Sequence, residues 1–370
     1  MKKVIGATLL VLMAGVGFAD IHVVDLAGGG DFTSIHTAVD DASSGDTILV
    51  SSGTYIITPS QGVITVDKEL CIQGSGYDLP EEGGTLLQTS TNTLFDFTAA
   101  ADGSKLQGFR IYGSHGATMI SVAADDMVIE NNHITTVSRT VWVIQFSSTT
   151  GDTLRNNYIG SVNTSTYRYA VSVSYSIDFV LSNNVIYGFG YNIYGVDFAY
   201  GTNVLATNNL FLNNMNAINI NSSEHTVVNN IFMNGSGTQL SVNGGVAANV
   251  SYNCFYNNGT DGNTGINPIL DNPDFVDYTV TDVFGYASYD DSQFDLHLQG
   301  VSPCVNGGNP EVIYNDPDAT VNDVGLYGWH WPMGTNGAPA MPVINNISVT
   351  PSSVDPDGTI SIEVIGRFGN

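Results

Sequence analysis

Across 370 residues the chain carries nine Lys and Arg against 35 Asp and Glu, a formal charge of −26 at pH 7. No basic stripe exists to replace the counterions of a phosphate backbone, which excludes nucleic acid as a partner. The three cysteines, Cys71, Cys254 and Cys304, fit no zinc spacing, and their odd number excludes a complete disulfide framework. Cys71 and Cys254 lie in apolar contexts where a thiol behaves as a small hydrophobe, and a bridge between Cys254 and Cys304 stays open.

The chain begins with a positive "MKK", an apolar "VIGATLLVLMAGVG" and a "GFA" that suits cleavage after Ala19, so residues 1–19 read as a signal peptide, with a signal anchor as the alternative. The apolar run is short for a bilayer and no later stretch is long enough. The expectation is a secreted or cell-surface protein with no membrane insertion after signal cleavage. Loss of Lys2 and Lys3 leaves seven basic side chains against 35 acidic ones. A polyanionic glycan is then repelled unless a local Arg group or Ca²⁺ reverses the field.

Further along, asparagine pairs recur inside strand-like sequence: "VIENNHI", "TLRNNYI", "VLSNNVI", "VLATNNLFLNN" and "TVVNNIF". Their first members are Asn131, Asn156, Asn183, Asn208 and Asn229, at intervals of 25, 27, 25 and 21 residues. "YNCFYNN" continues the series, and "KLQGFRI" precedes it with Gly108 in the Asn131 position. One period holds three short β-branched or aromatic runs, such as "AINI", "TVV" and "IFMN". Three strands per period closed by turns describe one coil of a parallel β-helix. Asparagine tolerates left-handed backbone and can bond to the same turn in neighbouring coils, so the pairs read as corner posts, not as a ligand site.

Aligning the coils on these pairs gives a second column. Ile120/Val122, Ile144/Phe146, Val171/Val173, Val196/Phe198, Ile218/Ile220 and Leu240/Val242 point inward, and Ser121, Gln145, Ser172, Asp197, Asn219 and Ser241 point outward between them. Period-two alternation in six consecutive coils predicts one apolar lumen and one polar outer face.

Residues 28–76, with "SIHTAVDDA" and "GDTILVSSGTY", resemble the opening of secreted pectate-lyase-like right-handed parallel β-helix proteins, in which a short helix caps the first coil. Residues 272–328, with "VSPCVNGGNP" and "DVGLYG", resemble the closing segment of bacterial surface β-helix repeat proteins. The resemblance spans about 28–328 and implies an all-β right-handed β-helix domain over 20–334, with three short strands per coil and an N-terminal helical cap. A linker over 335–342 follows, then a β appendage over 343–370 that reads as two strands around a turn, like the start of an immunoglobulin-like domain.

β-Helix enzymes work on the outer face of one strand column, which directs attention to the polar one. In the turns feeding it lie Arg139, Tyr167, Arg168, Tyr169, Tyr191 and Tyr194, aromatic faces and polar groups suited to sugar rings. With Ser121, Gln145, Ser172, Asn219 and Ser241 they form the candidate substrate-binding set. Arg168 and Asp197 are the candidate catalytic pair. Hydrolysis needs two facing carboxylates, and the inferred column offers one. Asp-Pro-His-Glu, the signature of β-helix epimerases, is absent. Glu130 and His133 read as a solvated corner pair.

In the loop "DGNTGINPILDNPDFVD", Asp271, Asp274 and Asp277 supply oxygen donors of the kind Ca²⁺ takes, without EF-hand spacing. The leading expectation is a protein that engages polysaccharide along this face. The alternatives are a polysaccharide lyase and a structural spacer or adhesin stalk.

Overall fold

A computed structural model describes residues 19–77, 83–113, 118–136, 142–161, 169–190, 194–221, 224–243, 249–278 and 295–329, with the strands Val343–Thr350 and Ser361–Arg367. Residues 1–18 of the expected signal peptide and the whole of the expected linker, 335–342, lie outside them. The described chain winds as a parallel β-helix of three sheets, with ten, nine and nine strands. In chain order each coil contributes one strand to the first sheet, one to the second and one to the third, as in Val180–Ser182, Val185–Tyr187 and Tyr194–Ala199. The strands Val343–Thr350 and Ser361–Arg367 form a separate antiparallel hairpin.

The asparagine pairs divide their work. Asn131, Asn156, Asn183, Asn208 and Asn229 all have φ between 54° and 60°, the left-handed region where Asn is favoured among side-chain-bearing residues. Gly108, at φ 76°, turns the coil before them, as its place in the series predicts. The second members form a buried ladder running Asn132, Asn157, Asn184, Asn209, Asn230 and Asn253. Each side-chain oxygen from Asn157 onward accepts the backbone N–H and the Nδ2 of the preceding ladder residue at 2.9–3.1 Å. A buried amide that bonds the coils on both sides fixes their register.

Inside, the third sheet stacks Ile120, Ile144, Val171, Val196, Ile218 and Leu240 in one register column. All are buried in the main core. Phe211, Phe232 and Phe255 of the second sheet stack at 4.9 Å from ring to ring. The N-terminal end is closed by the helix Ile35–Asp41, which buries Ile35, Ala38 and Val39. Lys68 Nζ donates to the carbonyls of Val39 at 3.2 Å and Ala42 at 3.1 Å, satisfying the helix C-terminus.

The segment that follows the last coil folds back along the flank of the coils. Leu296, Cys304, Val324 and Leu326 cover the apolar outer face of the second sheet, made by Val185, Leu210, Leu212, Ile231 and Met233. The left-handed asparagines hold it down: Asn183 Nδ2 donates to the carbonyls of Leu326 and Gly328, Asn208 Nδ2 to those of Asp323 and Gly325, and the Asn309 N–H donates to Asn229 Oδ1. Cys71 is only half-buried, while Cys254 and Cys304 sit together in this cluster as free thiols. The hydrogen bond with Cys304, followed by burial, pushes the Cys254 thiol well up.

Candidate functional site

Parallel pairing carries any outward residue of one coil directly over its counterpart in the next, about 4.8 Å away. On the third sheet Ser121, Gln145, Ser172, Asp197, Asn219 and Ser241 fall in one unbroken outward column. The same column continues upstream through Asp96 and Thr65, on coils that lack the asparagine-pair signal. Asp197 is therefore not its one acid. Four inter-strand steps separate Asp96 from Asp197, roughly 19 Å. That is too far for two carboxylates to flank one glycosidic bond, which takes about 5–9.5 Å.

The lower half of the column is a connected polar network. Asp197 accepts from Asn219 Nδ2 at 2.8 Å and from Asn221 Nδ2 at 3.3 Å. Asn243 Nδ2 donates to Asn219 Oδ1 at 2.6 Å and Asn221 Oδ1 at 2.9 Å, and Ser241 Oγ donates to Asn243 Oδ1 at 3.3 Å. Burial raises the Asp197 carboxyl above the ordinary range, and the Asn219 hydrogen bond offsets part of that. Exposure varies along the column. Ser121, Gln145, Asp197 and Ser241 are half-exposed, whereas Ser172 and Asn219 retain only 2% and 8% of their surface. Those two support the face from beneath more than they present to a ligand.

Trp142, Tyr169 and Tyr194 begin the three strands that carry Gln145, Ser172 and Asp197. Trp142 pairs with Tyr169, and Tyr194 occupies the same register place one coil on, opposite Asn216. All three aromatics are half-buried. The Tyr169 phenol is pushed up by burial, then by Asp197 and Tyr194 close by. Trp142 was missed in the sequence although it stands two residues before Ile144, the offset of Tyr169 from Val171 and of Tyr194 from Val196. Arg139, Tyr167, Arg168 and Tyr191 lie outside the described residues.

Four basic side chains, Lys68, Lys105, Arg110 and Arg155, are committed elsewhere. Lys68 serves the helical cap. Lys105 Nζ at 2.8 Å and Arg155 Nε at 2.5 Å clasp Glu130 on the first sheet. Burial alone would raise the Glu130 carboxyl, but these two cations hold it below its ordinary value. Arg110 is buried on the second sheet beside His133. The reading of Glu130 and His133 as a solvated pair is thus corrected: one is ion-paired, and the other is fully buried with Nε2 3.0 Å from the Tyr187 hydroxyl. Burial, then Arg110, lowers the His133 imidazole well below its ordinary value.

The three loop carboxylates do not converge. Asp271 accepts from the N–H of its neighbour Asn272 at 2.8 Å, and Asp277 is exposed on the strand Phe275–Asp277. Among the described residues no group of three His, Cys, Asp or Glu could hold a metal ion. None of the described helices is long and apolar enough to cross a membrane.

No protein-family model matches the chain, and no curated protein does. Among solved structures it is similar to pectate lyase Pel9A, at 14% identity over 85% of this chain and 98% of that one, with a TM-score of 0.48. It is also similar to the PL6 family alginate lyase AlyGC, at 14% identity over 65% of this chain and 44% of that one, TM-score 0.38. A rhamnogalacturonan lyase aligns at 14% identity over 70% of this chain and 91% of that one, TM-score 0.27. These are likenesses of fold. The class defined by strand order and register is the all-β parallel β-helix.

Proposed function

We propose that this protein is a secreted or cell-surface β-helix protein that binds polysaccharide along the outer face of the third sheet. The observation that carries the reading is the aromatic edge Trp142–Tyr169–Tyr194 beside the Asp197–Asn219–Asn221–Asn243–Ser241 network. Half-buried aromatics offer rigid faces for sugar rings, and a connected set of amides and hydroxyls can exchange hydrogen bonds with sugar hydroxyls.

A lyase requires a base and a group that neutralises developing charge. Lys68, Lys105, Arg110 and Arg155 are engaged away from this face, so that chemistry would fall to Arg139 and Arg168. The column supports binding without them.

Affinity electrophoresis of residues 20–370 through gels containing different polysaccharides, with and without Ca²⁺, tests the reading. Retardation without clearing is the expected result. The W142A/Y169A variant should lose about tenfold or more in affinity, the scale of losing one to two stacked rings. A cleared track would make the protein an enzyme. Free migration through every gel would leave a spacer.

A further inference from the structure

At the far edge of the same sheet two exposed tyrosines take a backbone conformation that asparagine fills most often among the described residues. Asparagine fills the left-handed positions at 131, 156, 183, 203, 208, 213, 229, 234 and 257, where it costs little. Directly after the strands Tyr169–Ser174 and Tyr194–Ala199 the left-handed residues are Tyr175, at φ 57°, and Tyr200, at φ 60°. A bulky side chain gains nothing from that backbone.

Burial does not compensate them either, because Tyr175 is 62% exposed and Tyr200 65%. Tyr252, the other left-handed tyrosine among the described residues, is half-buried. The two exposed rings stack at 5.2 Å with planes 16° apart. Each ring covers one face of its partner and leaves its outer face uncovered by it. On the preceding coil the equivalent left-handed residue is Ser148, small and exposed, which puts no third ring over Tyr175.

Charge restricts what such a platform would accept. The carboxylates of Asp96 and Asp197 stand on this face in a chain of charge −26. A polyuronate brings a negative charge on every residue and would be repelled. A neutral chain would meet rigid, amphipathic rings at both edges and amides between them.

We propose that Tyr175 and Tyr200 form a sugar-stacking subsite, and that the third sheet takes an uncharged polysaccharide laid along its strands between the two aromatic edges. From Tyr194 to Tyr200 is six residues, roughly 20 Å of extended chain, enough to hold several sugar units. This deepens the polysaccharide-binding reading and rests on it.

The test compares wild type, Y175N/Y200N and Y175F/Y200F in gels of hydroxyethylcellulose, galactomannan, xylan, polygalacturonate and alginate. Asparagine keeps the left-handed backbone and removes the ring, whereas phenylalanine keeps the ring. Wild type should be retarded in at least one neutral gel and in neither polyuronate. Y175N/Y200N should bind about tenfold more weakly or less, with a melting midpoint within about 2 °C of wild type. Y175F/Y200F should bind within about threefold of wild type.

Undiminished binding by Y175N/Y200N would overturn the subsite and leave the face intact as a binding surface. A midpoint lowered by about 5 °C or more would assign the stack to coil cohesion and overturn the subsite as well. Retardation only by polyuronates would overturn the neutral ligand, and free migration of wild type in all five gels would overturn both this inference and the reading beneath it.

Discussion

Asn156 and Asn157 are adjacent and chemically identical, yet the fold uses different parts of them. Asn156 contributes its backbone, at φ 55°. Asn157 contributes its side chain: Nδ2 donates to Ile129 O at 2.9 Å, Arg155 O at 2.7 Å and Asn184 Oδ1 at 3.0 Å, while Oδ1 accepts from Asn132 twice. Asn157→Ala leaves several buried groups without partners and should cost about 3–4 kcal/mol. Asn156→Gly keeps the backbone accessible and should cost under about 1 kcal/mol. Urea midpoints of the two variants check the contrast, and equal losses would refute the division of roles. The pairs were legible in sequence because left-handed turns have a local residue preference. Which member is the ladder depends on neighbours 21–27 residues away, and periodicity does not report that.

Between elements, the feature that the repeat does not announce is the returning segment. Coil register over the third sheet was legible because alternation repeats six times at nearly constant spacing. Contacts such as Asn183 to Leu326 span 143 residues and occur once, so no repeat announces them. Hydrophobicity alone does not distinguish a segment that closes the end of a solenoid from one that lies along its side. Leu326 is 2% exposed in the cluster over the second sheet. Leu326→Ala should cost about 2–4 kcal/mol. Its clearer signature is local: limited proteolysis should open sites within 304–329 while amides of the asparagine ladder stay protected from exchange. Simultaneous loss of ladder protection would mean that the segment and the coils unfold as one unit. The candidate site was legible to the same degree and for the same reason, since Asp197 belongs to the repeated alternation. Trp142 sits in that repeat too, one coil before the tyrosines that drew attention. Asp96 lies on a coil without an asparagine pair to align it.

At the scale of the whole molecule, an excess of carboxylates must be held close together by a fold with few cations. Burial raises Asp152 to about 7 and Asp316 to about 6, and it raises Asp197 as well. A carboxyl whose folded pKa lies above its unfolded value keeps its proton in the folded state while the unfolded chain has already released one. Its contribution is full below about pH 4 and declines as pH rises toward the folded value. Glu130, held down by Lys105 and Arg155 against its burial, and Asp46, held down by His22 and by the N–H groups of Asp20 and Ser43, have the opposite sign. Their contributions are present above the unfolded carboxylate range and are lost on acidification. The melting midpoint should therefore rise as pH falls from about 8 to about 5 and drop again below about 4. Asp152 is fully buried, and its Oδ1 accepts from the Met127 N–H at 2.9 Å, a bond asparagine can also make. Asp152→Asn should flatten the slope between about pH 4 and 7 by an amount on the order of 3 kcal/mol in total. Differential scanning calorimetry of both proteins across this range decides the matter. A wild-type midpoint independent of pH would show that acid crowding does not limit the fold. An Asp152→Asn curve parallel to wild type would move the cause from this one buried carboxyl to the distributed charge of the surface.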